Sequence, residues 1–503
     1  MQIPVVDIFA GPGGLGEGFS AFSPRQRSSE KAFRIAISAE MEKNAARTLR
    51  LRAFFRQFPT GHAPKSYYDY LAGRVDVPWT SATKSEWIAA TEEACELTLG
   101  IPEHDSLLHD RVRRVASNAE PWVLVGGPPC QAYSLVGRAR NLGIKGYQAE
   151  TDQRHFLYTH YLKLLREFRP AIFVMENVKG ILSSKVGGEL MFPRILEDLH
   201  QPGGKGGPRY RIVPMVVRAS GQAQTTNGNQ YVLRAEELGV PQARHRVVLL
   251  GIDESLTFAK GKFLTSSEDR YCVADAIGGL PKLRSGVTDR DLGRWSDMAR
   301  DLLDSAGRAT RDPDVSNLLD RLAKQVSKRD PGMGARWTEK TDSSEKVPTH
   351  LKEWLIDSRL DGILNHEVRA HMAADLVRYA YASAFAKIHG HSPRGADEFP
   401  AALHPQHRNW TSGKFVDRFK VQLHDQPSST VTSHLSKDGH YFIHPDPSQL
   451  RSLSVREAAR LQTFPDNYFF EGSRCAQFRQ VGNAVPPWMA RQIAGVVYSF
   501  LRN

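Results

Sequence analysis

Trp122-Val123-Leu124-Val125-Gly126-Gly127-Pro128-Pro129-Cys130-Gln131 decides how this chain is to be read. Its first four residues are a short apolar, β-branched run, the pattern of a strand buried in a sheet. Two glycines and two prolines then stop the strand and force a rigid turn. The turn carries a cysteine at its tip. In an open α/β sheet that place, just beyond the carboxyl end of a strand, is where ligands bind. Cys130 is therefore a candidate nucleophile, and an inert thiol is the alternative that this stretch alone leaves open.

Upstream, Pro4-Val-Val-Asp-Ile-Phe9 reads as a strand running into Ala10-Gly11-Pro12-Gly13-Gly14-Leu15-Gly16 and then a helix. Gly11, Gly13 and Gly16 fit the glycine-rich turn of a nucleotide-type βαβ unit. A second strand, Ile35 to Ala39, ends at Glu40, an acid placed to take ribose hydroxyls. Downstream, a helix over 154–168 leads to the strand Ala171 to Met175, which ends in Glu176-Asn177. Tyr210–Val217 and Val247–Gly251 read as further strands, with Gln242-Ala-Arg244-His-Arg246 just before the last. This βα alternation predicts a doubly wound, Rossmann-like α/β sheet over 1–251, carrying a helical insertion at about 43–108.

The pattern changes after residue 251. Segment 284–346 mixes Arg and Asp, as a solvated face or a DNA surface would. A helix is expected from Asn365, as its cap, to Lys387, with Gly390 ending it. Residues 404–420, with Trp410 and Phe415 among His, Arg and Lys, suit a nucleic-acid loop. Ser454 and Glu457 form a capping-box pattern. The last helix has apolar positions at Met489, Ile493, Val496, Val497 and Phe500 that would return it to the first domain. The expected division is thus 1–251, an inserted 252–450, and a returning segment 451–503.

Composition bounds the partners. Hydrophobic content of 41% and charged content of 24% are ordinary for a soluble globular chain of 503 residues. No bilayer-spanning run, signal peptide or transit peptide is evident, and a cytoplasmic location is expected. Cys95, Cys130, Cys272 and Cys475 are scattered without a CxxC pair, which speaks against disulfides or a zinc site. A net charge of +12 points to a polyanion, with surplus surface arginine as the plain alternative.

These pieces together resemble the cytosine-C5 DNA methyltransferase family. The matching motifs are Asp7-Ile-Phe-Ala-Gly-Pro-Gly-Gly-Leu15, Glu40, Gly127-Pro-Pro-Cys-Gln131, Glu176-Asn-Val178, Gln242-x-Arg244-x-Arg246, Arg456-Glu457-x-x-Arg460 and Gln480-Val-Gly-Asn483. The resemblance implies a methyltransferase sheet with a long inserted target-recognition domain. It implies S-adenosyl-L-methionine as cofactor, leaving as S-adenosyl-L-homocysteine. Cys130 would add to carbon 6 of a flipped-out cytosine. Glu176, with a raised pKa, would protonate or hydrogen-bond N3. Arg244 and Arg246 would hold the base. The cofactor would meet Phe9, Ala10, Gly11, Gly13, Gly14, Leu15, Glu40, Met41, Asp110, Pro128, Asn483 and Ala484. DNA would meet Gln131, Ser134, Arg138, Arg246 and Thr430, and the stretch 134–151 would be a closing loop. The expected partner is double-stranded DNA, bound by a monomeric bacterial enzyme that acts alone or beside a restriction or phage-defence system. The competing readings are a tRNA cytosine methyltransferase, a nicotinamide-dependent oxidoreductase suggested by Gly11, Gly13, Gly16 and Glu40, and an inactive DNA-binding relative.

Overall fold

The computed structural model describes residues 2–502 apart from 26–29, 119–120, 130–156, 187, 217–227, 260, 290, 292, 341–346, 407–409 and 411–417. The strands that frame the N-terminal half are β1 (Ile3–Ile8), β2 (Phe33–Glu40), β3 (Ala94–Glu96), β4 (Val123–Gly126), β5 (Ile172–Val178), β6 (Tyr210–Val213), β7 (Val232–Arg234), β8 (Gln242–Ala243) and β9 (His245–Asp253). The main sheet runs β3-β2-β1-β4-β5-β9-β6, with β7 also paired to β9. The first five strands are parallel, and β9 is antiparallel to its neighbours.

Register aligns the strand ends that matter. Ile8 pairs with Gly126, Gly126 with Met175, and Glu40 with Glu96. The residues just past these positions therefore share one edge of the sheet. Successive side chains point to opposite faces, so Val5, Val125 and Val174 enter one core while Val6, Leu124 and Met175 enter another. The C-terminal helix Pro487–Leu501 covers the first of these faces through Met489, Ile493, Val497 and Phe500. It lies so close to helix Gly14–Ala21 that a Cβ on Gly18 would fall 2.4 Å from the Ala490 Cβ.

Part of the stretch read as a helical insertion belongs to the sheet. Helix Lys43–Arg56 leads, through helices Lys65–Leu71 and Lys84–Glu93, to the edge strand β3. Three residues, Ala94-Cys95-Glu96, are too few to show a strand period. Beyond β9, helices Trp295–Ala309, Pro313–Lys324 and Ala373–His389 share a separate core with Trp410 and Phe419. The helix expected from Asn365 begins only at Ala373. Asn365 lies instead in the strand Gly362–Glu367, with φ 52°, its amide exchanging hydrogen bonds with the Phe470 backbone. The helix start is met from afar, by Asp289 accepting from Ala373 N. Gly390 does end it, in the left-handed conformation.

Candidate active site

The glycine-rich turn is bent by its own backbone and held from behind. Phe9, Gly11 and Gly13 all have positive φ, at 56°, 57° and 93°. For Phe9 this conformation costs on the order of 1–3 kcal/mol, and such strain collects at functional sites. A Cβ on Gly11 would meet nothing within 4 Å, so that side of the turn is open. On Gly13 it would lie 2.7 Å from Leu49 and 2.9 Å from the Tyr468 hydroxyl, and on Gly14 2.1 Å from the Val485 carbonyl. Tyr468 donates to the Pro12 carbonyl, so residues far along the chain pin the turn. Leu15 and Ala484 are buried in packed cores, whereas Ala10 is half-buried.

Glu40 stands at the end of β2, its Oε2 accepting from Gly11 N and its Oε1 from Glu42 N, both at 2.8 Å. Burial raises its pKa, and these two amides oppose the rise. Met41 beside it is 59% exposed, free to cover a planar ring. Asn483 ends the helix Arg474–Asn483 and is exposed. Asp110 is the other acid expected here. It sits in the middle of helix Pro102–Asn118, exposed and paired with Arg113 at 2.6 Å. The acid the fold does place beside Glu40 is Glu96, exposed at the end of β3. Reading 43–108 as an insertion hid it.

Beneath the turn lies Asp7, fully buried, with neither carboxyl oxygen in a formed hydrogen bond. Burial pushes its pKa up to about 8, and the nearby Gly16 amide offsets this only in part.

The second half of the site forms where β4 and β5 end and β9 begins. The Glu176 Oε1 meets the Arg246 Nε at 2.7 Å, with side-chain exposures of 13% and 11%. Burial lowers the Arg246 pKa, and Glu176 opposes the change. A Cβ on Gly127 would come 3.0 Å from Glu176 Oε2, so only glycine leaves that oxygen uncrowded. Asn177 donates through Nδ2 to the Pro128 carbonyl at 3.1 Å, while its Oδ1 accepts from Val178 N at 2.8 Å. This buried amide, whose motif the sequence showed without giving it a role, clamps the turn two residues before Cys130. Cys130 itself, with Gln131, Ser134, Arg138 and the stretch 134–151, lies outside the described residues.

Two residues expected to meet the base and DNA have protein partners in the structure. Arg244 is 1% exposed and is taken up by backbone, donating to the Val431 carbonyl at 2.7 Å and the Gly482 carbonyl at 3.1 Å. It ties the inserted region to the C-terminal segment. The Thr430 hydroxyl donates to the Ala243 carbonyl at 2.6 Å, next to the pairing of β8 with Ser428–Ser429. Gln242 completes this joint, accepting from Val431 N and donating to the Leu461 carbonyl. Spacing along a strand could not show that Arg244 and Arg246 have opposite surroundings. Trp410, offered as part of a nucleic-acid loop, is buried at 6% exposure, and Phe415 lies outside the described residues.

Comparison with known proteins agrees with this geometry. Residues 109–499 match the family described as C-5 cytosine-specific DNA methylase. The type II methyltransferase M.Bpa9945I of Bacillus paralicheniformis is 32% identical over 98% of this chain and 98% of its own. The DNA (cytosine-5-)-methyltransferase M.ApeKI of Aeropyrum pernix is 27% identical over 75% of this chain and 81% of its own. A crystal structure described as a DNA modification methyltransferase of an E. coli prophage superposes with a TM-score of 0.52 at 19% identity, covering 100% of both chains, a likeness of fold. With the family match spanning most of its length and a relative aligned nearly end to end, this chain belongs to the C-5 cytosine-specific DNA methylases.

Proposed function

We propose that the protein transfers a methyl group from S-adenosyl-L-methionine to carbon 5 of cytosine within a specific short duplex DNA sequence, as the modification enzyme of a restriction-modification system. The observation that carries this reading is the Glu176–Arg246 pair beside the clamped turn that leads into Cys130. Arg246 engages one carboxyl oxygen and leaves the other, next to Gly127, without a partner among the described residues and able to address a base.

The residues at the ends of β1 and β2 suit the cofactor. Gly11 faces open space, Glu40 is held by two backbone amides at the height of the turn, and Met41 is exposed beside it. These would take the methionine portion, the ribose hydroxyls and the adenine respectively, with Phe9 and Glu96 beside them. When bound, S-adenosyl-L-methionine supplies an electrophilic methyl group.

The chain's own residues make the cytosine able to accept it. The Cys130 thiolate adds to carbon 6, and the Glu176 carboxyl gives a proton to N3, so the ring electrons collect as an enamine at carbon 5. Arg246 holds Glu176 in line. After carbon 5 is methylated, its proton leaves to a base or water and the thiolate departs from carbon 6. N3 then returns its proton to Glu176, and all charges balance. The target base must be flipped out of the duplex to reach this site, and the surplus of 12 positive charges favours the DNA backbone. No helix among the described residues is long and apolar enough to cross a membrane.

The test is methyl transfer from labelled S-adenosyl-L-methionine to unmethylated duplex DNA, with bulk tRNA and Cys130→Ala as controls. Label in DNA that vanishes in the variant is expected, and mapping it gives the recognition site. Label in tRNA alone would overturn the reading.

A further inference from the structure

Away from the strand ends, a groove of about 1530 Å³ runs past the first half of β2. It is lined by helices Gly14–Ala21 and Lys84–Glu93, the short helix Thr349–Leu355 of the inserted region, and the C-terminal helix. β2 rises ~3.3 Å per residue, which puts Phe33 roughly 23 Å from Glu40. None of the residues assigned to cofactor or cytosine lines this groove.

Its lining carries acids, Glu17, Glu92, Glu93, Glu353 and Asp357, but two of its cations, Lys31 and Arg491, form no salt bridge among the described residues. The Arg491 guanidinium rests over the rings of Trp488 and Trp354, at 5.2 and 5.8 Å from their centroids, and forms no salt bridge among the described residues. The two indoles meet edge to face at 5.2 Å, and Trp354 is fixed by donating to the Thr463 carbonyl at 2.7 Å. Among the described residues, Lys31 donates to neutral oxygens, the Ala21 carbonyl at 3.3 Å and the Ser23 hydroxyl at 3.2 Å. Burial lowers its pKa, and the positive charge of Arg491 lowers it further. The acid closest in effect, Glu17, is already held by Arg52 at 2.8 Å and by Arg56 at 3.7 Å. Arg34, on the same wall, is exposed.

Partly burying two like charges that act on each other in one groove is unfavourable unless an anion joins them. One carboxylate would answer one cation. An anion with several charges would answer the set, and guanidinium forks match phosphate oxygens in pairs. We propose that this groove is a second binding site, for an oligophosphate anion held by Lys31 and Arg491, with Trp354 and Trp488 fixing the arginine. The site joins the inserted region to the methyltransferase sheet, so its ligand would brace the two against each other. The same phosphate chemistry is offered by a free nucleotide or by a nucleic-acid backbone.

The test monitors tryptophan emission of the full chain during titration with sodium tripolyphosphate at constant ionic strength. A saturable change is expected. Arg491→Gln and Lys31→Gln should each weaken binding by about tenfold or more, as loss of a charge-assisted hydrogen bond predicts. Arg491→Lys, which keeps the charge, should weaken it less, and all three variants should keep the wild-type near-ultraviolet circular dichroism. Competition by ATP would mark a nucleotide as the natural form. Competition by a cytosine-free duplex, weakened in Arg491→Gln, would mark a nucleic-acid backbone. An unsaturable response, or unchanged affinity in both Gln variants, would overturn the proposal.

Discussion

The Glu176–Arg246 pair and the Arg451–Glu457 pair are the same chemical contact in two surroundings. Arg451 and Glu457 are each 1% exposed and meet through two bonds of 2.7 Å. Every remaining valence there is answered: Arg451 also donates to Gln449, Leu283 and Ser452, and Glu457 accepts from Ser454 N to cap its helix. Arg456 and Arg460 repeat the pattern, donating to the carbonyls of Leu364, Pro465 and Tyr468 and to Asp466. A closed network of this kind specifies packing. At β5 the network is half open among the described residues, with one Glu176 oxygen bound and the other beside Gly127. Closure makes architecture of an ion pair, and an open valence makes a site of it.

Breaking each pair should therefore fail in a different way. Glu176→Gln removes the proton donor and should lower kcat by about 10²–10⁴-fold. Its thermal unfolding should stay close to wild type, because the rim position lets water replace the lost contact. If instead the variant unfolds and its residual activity per folded molecule is normal, the contrast is wrong. Glu457→Gln leaves buried cations uncompensated and should cost about 3–5 kcal/mol in urea unfolding. Below its transition it should retain most of its methyl transfer.

The closed network also predicts how acid acts. His366 is buried, its Nε2 donating to the Pro281 carbonyl and its Nδ1 accepting from the Ser454 hydroxyl. Burial pushes its pKa down to about 4. The unfolded chain therefore binds more protons between pH ~6.5 and ~4, and stability is lost as pH falls through that window, by up to about 3 kcal/mol. Asp7 has the opposite sign. With a folded pKa raised to about 8, it destabilises the fold as pH rises from ~4 to ~8. Asp7→Asn should gain in Tm over wild type as the buffer moves from about pH 6 to about pH 8. A gap that does not grow would mean that Asp7 is ionised when folded.

The smallest effect sharpens the comparison at the turn. Tyr468→Phe deletes the bond to the Pro12 carbonyl, worth about 1 kcal/mol. It should raise the KM for S-adenosyl-L-methionine about fivefold, with kcat and DNA affinity little changed. Equal losses in cofactor and DNA binding would indicate general loosening instead.

Short-range chemistry made much of this protein readable from its chain. Positive φ at Gly11 and Gly13 comes from the turn itself, Glu40 ends a strand that its apolar run announces, and Glu176 follows such a run near the end of β5. The capping box of Ser454 and Glu457 is equally local, and it forms as its spacing predicts. What tertiary structure decided lies wherever the partner is distant in sequence. Arg244 and Arg246 differ because Val431 and Gly482 reach one and Glu176 the other. Asn365 is drawn from helix cap to strand by the Phe470 backbone. Glu96 stands level with Glu40 because a three-residue strand, recognisable only by its pairing with β2, turned an apparent insertion into the sheet's edge. Backbone preference is set within a few residues, whereas a buried charge answers to whichever groups the whole fold brings to it.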